Sequence, residues 1–169
     1  QPFWSWDCAD GRVLTMQWGD GDPRIGEVGR FRKRVPLALS GPDGRVTNAL
    51  GSILGPERYR FENRGTGPAP LGAVTGLAVH DGIVYVAEGP EIRVDAFSVD
   101  GDHLWTVRAA AERRPVDRGA FVESRRPDEM TDAERRAFNA RWRDWDLPDV
   151  LPAFRGFLVD DEGSMWIER

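Results

Sequence analysis

The sequence predicts a mainly β protein of short antiparallel strands with one helical insertion, and three observations support this prediction. Asp-Gly pairs, which favour the tight turns of β-hairpins, recur along the chain. They stand at Asp10-Gly11, Asp20-Gly21, Asp43-Gly44, Asp81-Gly82 and Asp100-Gly101. The 19 glycines and 12 prolines are scattered between short apolar runs, as a fold with many turns requires. One stretch in the last third of the chain has helical spacing instead.

The N-terminal region, residues 1–64, predicts one degenerate unit of strands. The predicted strands are Arg12–Trp18, Glu27–Lys33, Val35–Ser40, Arg45–Leu54 and Tyr59–Glu62. A turn at Gly19–Pro23 separates the first two strands, and Asp43-Gly44 joins the next two into a hairpin. Gly65–Leu71 contains two prolines, and we expect it to be a connection between two units of strands.

Residues 72–108 form the best-defined unit of the sequence. Four runs of β-type residues follow one another, and three tight turns join them: Val74–His80, Ile83–Glu88, Glu91–Ser98 and His103–Arg108. The turns are Asp81-Gly82, Gly89-Pro90 and Asp100-Gly101. This spacing predicts a small antiparallel sheet in which each strand pairs with the next.

Part of this unit recurs near the C-terminus. Val79–Glu88 and Val159–Glu168 share an order of apolar, Asp, Gly, aromatic, β-branched and Glu positions, with one extra residue in the second copy. The copies lie 80 residues apart, and an insertion of about forty residues, 109–148, separates them, so the underlying period is about forty. Four-stranded units at this spacing are typical of propeller blades. The sequence therefore predicts an incomplete β-propeller of about two to three four-stranded blades, with residues 149–169 starting a further blade.

The insertion contains a predicted helix at about residues 131–145. Thr131 and Glu134 have the spacing of a capping box, which marks a helix N-terminus. Phe138, Trp142 and Trp145 then fall on one face of the helix. We expect this aromatic stripe to dock the helix on the sheets, while Trp142 and Trp145 are also candidates for contact with a partner or a second copy.

The segment Glu91–Gly101, followed by Leu104 and Val107, resembles bacterial six-bladed β-propeller proteins of the NHL/YVTN-like kind. In that group a strand that ends in a D-x-x-G turn leads into the next strand of the blade. Pro148–Phe154 and Gly163–Ile167 are similar to the beginning of another such blade. The resemblance implies a repeat scaffold that binds partners, and it favours the bacterial periplasm or envelope as the location.

A closed ring of six blades would need about 240 residues at forty residues each. The last predicted blade stops after two strands, at Arg169. We therefore expect a fragment of a ring with open sheet edges. Because an open edge presents unpaired main-chain groups, we expect it to pair with the missing blades or with another copy of the chain.

Composition excludes several classes of function. A net charge of −5 argues against a nucleic-acid partner, because phosphate binding needs a basic surface. Cys8 is the only cysteine, so the chain has no internal disulfide and no multi-cysteine zinc site. No stretch contains the roughly 20 consecutive apolar residues that a transmembrane helix needs.

Two classes of function remain open. The favoured one is a non-catalytic propeller scaffold that binds a protein, peptide or glycan, and no residue pattern predicts a cofactor or a catalytic group. The alternative is a propeller hydrolase or lactonase that uses a metal held by acids, Asn and His. The metal-ligand candidates for that alternative are His80, Asp81, Glu88 and Asn48.

Overall fold

The computed structural model describes residues 3–7, 11–17, 27–62, 65–89, 91–143 and 145–169. Over these residues the chain is mainly β, with two helices and several antiparallel sheets, none of them closed. The mainly β class predicted from the sequence is therefore confirmed. Cys8 and the predicted turn at Gly19–Pro23 lie outside the described residues, as do Asp10, Pro90 and the Asp20-Gly21 pair.

The described residues form four sheets that differ in size and position. The strands are β1 (Phe3–Asp7), β2 (Val13–Gln17), β3 (Gly29–Phe31), β4 (Arg34–Ser40), β5 (Val46–Leu54), β6 (Arg58–Phe61), β7 (Gly65–Pro68), β8 (Thr75–His80), β9 (Ile83–Glu88), β10 (Ile92–Ser98), β11 (His103–Ala109), β12 (Gly156–Val159) and β13 (Met165–Glu168). The first sheet has the order β1-β2-β4-β5, and the central sheet has the order β11-β10-β9-β8. The side sheet is β3-β6-β7, and the C-terminal hairpin is β12-β13.

The central sheet matches its sequence prediction strand by strand. Its four strands pair in chain order, and their ends lie within one residue of the predicted ends. At the first turn Asp81 and Gly82 have φ angles of 46° and 72°, the left-handed geometry that a two-residue hairpin turn requires. The Asp-Gly pattern thus set both the position and the register of this hairpin.

The N-terminal strands are divided between two sheets, which the sequence did not predict. β2 and β4 are neighbours in the first sheet, whereas β3, which lies between them in sequence, pairs with β6 in the side sheet. The predicted connection Gly65–Leu71 contains a strand instead, because Gly65–Pro68 forms β7 and pairs with β6. β7 is an edge strand of the side sheet, and an edge tolerates a proline that cannot donate a main-chain hydrogen bond. The strand β1 was also not predicted.

Two apolar clusters join three of the sheets face to face. The first cluster lies between the first sheet and the central sheet, with Leu14, Leu37 and Leu39 on one side and Val84 and Val86 on the other. The second cluster lies between the opposite face of the central sheet and the C-terminal hairpin. Side chains on both faces of β9 are therefore buried, which explains its nearly continuous apolar sequence.

The C-terminal hairpin packs closely on the first strand of the central sheet. β12 runs beside β8, and Gly76 of β8 faces Phe157 of β12. A Cβ atom at Gly76 would lie 2.5 Å from the Cβ atom of Phe157, so this approach requires glycine. The initial strands of two successive sheets are thus neighbours.

The insertion, residues 109–148, carries both helices. The predicted helix is confirmed as α2 (Asp132–Arg143), while α1 (Arg118–Ser124) was not predicted. The capping box is present: Thr131 N donates to Glu134 Oε2 at 2.8 Å, and Glu134 N donates to Thr131 Oγ1 at 3.3 Å. Neither helix has the length and apolar character needed to cross a membrane.

Candidate binding cleft

A cleft of about 610 Å³ opens at one end of the central sheet. The turn between β9 and β10 and the end of β11 form one wall, through Gly89, Ile92 and Ala109. The two chain segments that enter and leave the insertion form the other wall. We call residues 110–116 the leading leg and residues 148–153 the trailing leg. A cavity of this size accommodates a small ligand or a short peptide segment.

Main-chain contacts hold the two legs together. Pro115 and Val150 form an isolated antiparallel bridge. On either side of it, Val116 N donates to Asp149 O at 3.0 Å, and Leu151 N donates to Arg114 O at 2.8 Å. Hydrogen bonds between main-chain groups of both legs keep their spacing constant, so this wall of the cleft is preformed.

The floor of the cleft belongs to the second apolar cluster. Ile92 and Ala153 are both buried and both line the cleft. Next to Ala153, Phe154 is 1% exposed and anchors the trailing leg between the central sheet and the hairpin. A ligand in the cleft would therefore rest on a rigid part of the core rather than on a loop.

Glu57 reaches the cleft from the segment between β5 and β6, and Arg30 of β3 holds its carboxylate in a two-pronged contact. Arg30 Nε donates to Glu57 Oε1 at 3.0 Å, and Arg30 Nη2 donates to Oε2 at 2.8 Å. Ala73 N also donates to Oε2, at 3.0 Å. Planar paired contacts of this kind are among the stronger charge-assisted hydrogen bonds.

Arg30 also ties the cleft to the insertion. Its Nη1 atom donates to Pro70 O at 3.1 Å and to Asp146 O at 2.9 Å. One guanidinium therefore joins the side sheet, the segment before β8 and the end of the helical insertion. This arrangement makes Arg30 a positioning residue for one wall of the cleft.

The pKa of the Glu57 carboxyl lies below its ordinary value. Burial by itself raises this pKa, but the hydrogen bonds from Arg30 and from the Ala73 amide, with the charges of Arg30 and Arg32, lower it more. Glu57 is therefore ionised at neutral pH, and its negative charge is balanced by Arg30. In the cleft Glu57 is therefore a carboxylate paired with Arg30, and it is not a proton donor.

The remaining charges in the cleft are exposed and mixed in sign. Glu91 and Glu112 are acidic, Arg108 and Arg113 are basic, and all four side chains are exposed. Apolar residues such as Leu151 lie deeper between them. An apolar floor with a rim of both charges favours a ligand that has both apolar and polar groups over a highly charged ligand.

The four metal-ligand candidates do not form a site. His80 and Asp81 lie together at the β8–β9 turn, with His80 Nε2 3.4 Å from Asp81 Oδ2. Glu88 is at the other end of the six-residue β9, about 17–20 Å away by strand geometry. Glu88 Oε1 accepts a hydrogen bond from Leu54 N, and Asn48 Nδ2 donates to Val99 O, each at 2.8 Å. The latter two side chains therefore connect segments of the fold.

The same holds for the rest of the described part of the chain. It contains no group of three or more His, Cys, Asp or Glu side chains placed to hold a metal ion. The deepest acidic side chain in it is Asp95, which is 7% exposed and accepts hydrogen bonds from Thr106 and Arg93. Burial raises the pKa of Asp95, but these hydrogen bonds lower it further, so Asp95 links β10 to β11 as a carboxylate.

Trp142 and Trp145 belong to an aromatic cluster inside the chain. Trp145 stacks on Tyr59 of the side sheet with ring centroids 5.8 Å apart, and it lies 4.6 Å from Trp142. Trp142 also contacts Phe121 of α1 at 5.5 Å. Trp145 lies beyond the end of α2, so the contact with the side sheet comes from the segment after the helix, and Trp142 connects α2 to that segment. Both indole rings are half-buried in these contacts and neither lines the cleft.

Sequence reasoning missed the residues that build the cleft. Arg30 and Glu57 are 27 positions apart, and the legs of the insertion are separated by about thirty residues. No local sequence pattern predicts such contacts, because they depend on how the side sheet and the insertion pack against the central sheet. The one signal in the sequence was the end of the strand spacing near residue 109, just before the leading leg.

Comparisons with known proteins add no family assignment. The sequence matches no protein-family model, and no curated protein is significantly similar to it.

Proposed function

We propose that this chain is a non-catalytic scaffold of the β-propeller type that binds a peptide or glycan segment of a partner in the cleft. The observation that carries the proposal is the preformed cleft at one end of the central sheet, with an apolar floor and a charged rim of both signs. Such a surface has the features of a recognition site, namely apolar area for affinity and a few polar groups for orientation.

The stacking of the sheets supports the propeller part of the proposal. The first sheet, the central sheet and the C-terminal hairpin follow one another in space as they do in sequence. The initial strands β8 and β12 are adjacent, as expected for the inner strands of neighbouring blades. The first sheet and the central sheet each have four antiparallel strands, the number expected for a blade.

The chemistry of the cleft supports recognition over catalysis. Its carboxylate with the most ordered surroundings, Glu57, is neutralised by Arg30 and has a lowered pKa, whereas a general acid needs a raised one. The exposed charges of the rim are suited to steering and orientation of a partner.

The test is a selection for ligands with a matched pair of variants. The immobilised protein is panned with a random-peptide phage library and, separately, probed on a glycan array. Ala111 lines the cleft, so Ala111→Trp fills it, while Ala140→Trp places the same bulk on an exposed position of α2. We expect an enriched peptide or glycan that binds the unaltered protein and Ala140→Trp but not Ala111→Trp.

Two results would contradict this function. One is the absence of any enriched ligand while the protein is folded by circular dichroism. The other is a ligand whose affinity is the same for Ala111→Trp and for the unaltered protein, since that ligand would bind elsewhere.

A further inference from the structure

The strand β11 is an edge of the central sheet and has no main-chain partner on its outer side in the described part of the chain. It pairs with β10 on its inner side, where residues 105–109 keep an unbroken register. Six of its seven residues are exposed. In an edge strand alternate main-chain N–H and C=O groups point outward without partners. Such a row of groups is complementary to another extended chain.

β5 is the longest edge strand of the described residues, and its edge is irregular. Its register with β4 shifts twice, and Gly51 has a φ angle of 95°. Leu54 N, at its end, already donates to Glu88 Oε1 at 2.8 Å. Bulges of this kind hinder the pairing of an edge with other chains. β11 has one register shift, near its start, and contains neither proline nor lysine, so it is the more accessible edge.

One face of β11 carries uncovered apolar area at this edge. Trp105 packs against the second apolar cluster, and Val107 lies two residues further along on the same face. Val107 pairs with Val94, a buried member of that cluster, yet Val107 itself is 43% exposed. The cluster therefore ends at the edge of the sheet. An apolar side chain of an added strand would extend the cluster there.

The other face of β11 carries a positive charge that lacks an acidic partner. Arg108 pairs directly with Arg93 of β10. Arg93 Nη2 lies 2.9 Å from Asp95 Oδ2, whereas no acidic side chain of the described residues forms an ion pair with Arg108. Like charges that face each other across two strands are unfavourable, and opposite charges are favourable. An added strand with an acidic residue opposite Arg108 would supply the missing charge.

We propose that β11 is a site at which an extended peptide segment of a partner protein adds to the central sheet as a further strand. The segment runs antiparallel to β11, and it carries an acidic residue opposite Arg108 followed by an apolar residue opposite Val107. Main-chain hydrogen bonds supply affinity, and the side chains at these two positions supply specificity. The proposal does not depend on ligand binding in the cleft.

A second copy of this chain is a less suitable occupant of the edge. The strand β11 contains no Asp and no Glu. Two β11 strands that paired with each other would therefore leave Arg108 of both chains without an acidic partner. The charge on this edge favours a different chain that provides a carboxylate.

The test is an NMR titration of the full nitrogen-labelled chain with the probe peptide acetyl-Ser-Thr-Glu-Val-Thr-Val-Ser-amide. We expect the amide signals of residues 104–109 to shift. Arg108→Glu should weaken binding by about tenfold, because a repulsion replaces an attraction, and a peptide with Lys in place of Glu should restore it. Arg136→Glu makes the same charge change at an exposed position of α2 and should leave the affinity unchanged.

Methylation of the peptide's main-chain nitrogens, one at a time, separates strand addition from contact through side chains alone. An added strand directs every second N–H group at β11. Methylation at those positions should weaken binding by at least about tenfold, and methylation at the positions between them should have a much smaller effect. An affinity that does not alternate in this way overturns the proposal.

The variant Ala111→Trp separates this site from the cleft. Ala111 lines the cleft and lies beyond the end of β11, so the probe peptide should bind this variant as it binds the unaltered chain. Loss of binding would place the peptide in the cleft and contradict the proposal. The proposal is also wrong if the signals of residues 104–109 do not shift, or if they change with protein concentration alone, since β11 would then pair with a second copy.

Discussion

The hairpins β8-β9 and β12-β13 share a strand register but differ in their surroundings. The first strand of each hairpin contains a glycine and carries a valine three positions after it. In each hairpin the residue just before that valine pairs with an aromatic residue of the second strand. The aromatic residue of the first hairpin is Tyr85, which is 5% exposed, and that of the second is Trp166, which is 60% exposed.

This difference shows that the pattern of a strand determines its pairing but not its burial. Tyr85 is buried because the C-terminal hairpin lies on its face of the central sheet. Trp166 has the same place in its own hairpin, yet no residue of the described chain forms an apolar cluster over it. The contrast can be tested by making the same change in both hairpins.

The largest expected difference concerns the two aromatic residues. Tyr85→Ala removes a buried ring from the second apolar cluster and should lower the free energy of unfolding by about 3 kcal/mol. Trp166→Ala removes a mostly exposed ring and should lower it by less than about 1 kcal/mol. Urea unfolding followed by circular dichroism measures both values.

The two changes must be compared under dilute conditions, where copies of the chain are separate. The conservative variant Tyr85→Phe keeps the ring and should retain most of the stability. Equal losses for Tyr85→Ala and Trp166→Ala would mean that Trp166 is covered in solution by part of the same chain, which would remove the contrast between the hairpins.

The next difference concerns the glycine that begins each hairpin. A Cβ atom at Gly76 would lie 2.5 Å from Phe157 Cβ, whereas one at Gly156 would meet chiefly the flexible side chain of Glu168. Gly76→Ala should therefore push the C-terminal hairpin away from β8 and cost about 2 kcal/mol. Gly156→Ala should cost less than about 1 kcal/mol.

Thermal unfolding of the two variants measures this second contrast. The double variant Gly76→Ala with Phe157→Gly provides the control and should be as stable as Phe157→Gly alone, because glycine at position 157 removes the Cβ atom that the new methyl group would meet. If Gly76→Ala is no less stable than Gly156→Ala, the close approach of β8 and β12 does not exist in solution.

The smallest expected effect is a pH dependence at the turn of the C-terminal hairpin. Asp160 Oδ2 accepts a hydrogen bond from Trp166 Nε1 at 2.7 Å, and Asp160 Oδ1 accepts one from Ser164 N at 2.8 Å. These bonds lower the pKa of Asp160 below the ordinary value of 3.8. The Asp160 carboxylate therefore adds stability above pH 3.8, and this contribution is lost as the pH falls through the lowered pKa.

Urea unfolding of the unaltered chain and of Asp160→Asn at several pH values tests this effect. The stability difference should be constant above pH 3.8 and should shrink at lower pH. Asp161→Asn, at the next position of the same turn, is the control, because it leaves both hydrogen bonds of the Asp160 carboxylate in place. A difference that persists with the same size in strong acid would mean that the Asp160 carboxylate has no role in this turn.

Local pattern was sufficient to predict the central sheet and the long helix. Alternating β-type residues and the Asp81-Gly82 pair defined the β8-β9 hairpin, and Thr131 with Glu134 defined the start of α2. The strand β7 escaped prediction because Gly65–Pro68 has turn-like composition, and only its pairing with β6 makes it a strand.

The candidate cleft was beyond prediction for a different reason. Residue type alone suggests the metal-ligand candidates, and the fold places Glu88 and the His80-Asp81 pair at opposite ends of a strand. The residues that do meet, Arg30 and Glu57, come from the side sheet and the segment after the first sheet. The contact between Arg30 and Glu57 depends on how whole sheets pack together.

The sequence by itself determined the mainly β class, the strands and turns of the central sheet, and the position of the long helix. These features depend on interactions between residues close in sequence, and such interactions leave periodic patterns. Only the tertiary structure decided the division of the N-terminal strands, the contact between Arg30 and Glu57, and the different exposure of Tyr85 and Trp166. Burial and long-range pairing depend on which surfaces pack together in space, and the spacing of residues along the sequence does not predict that packing.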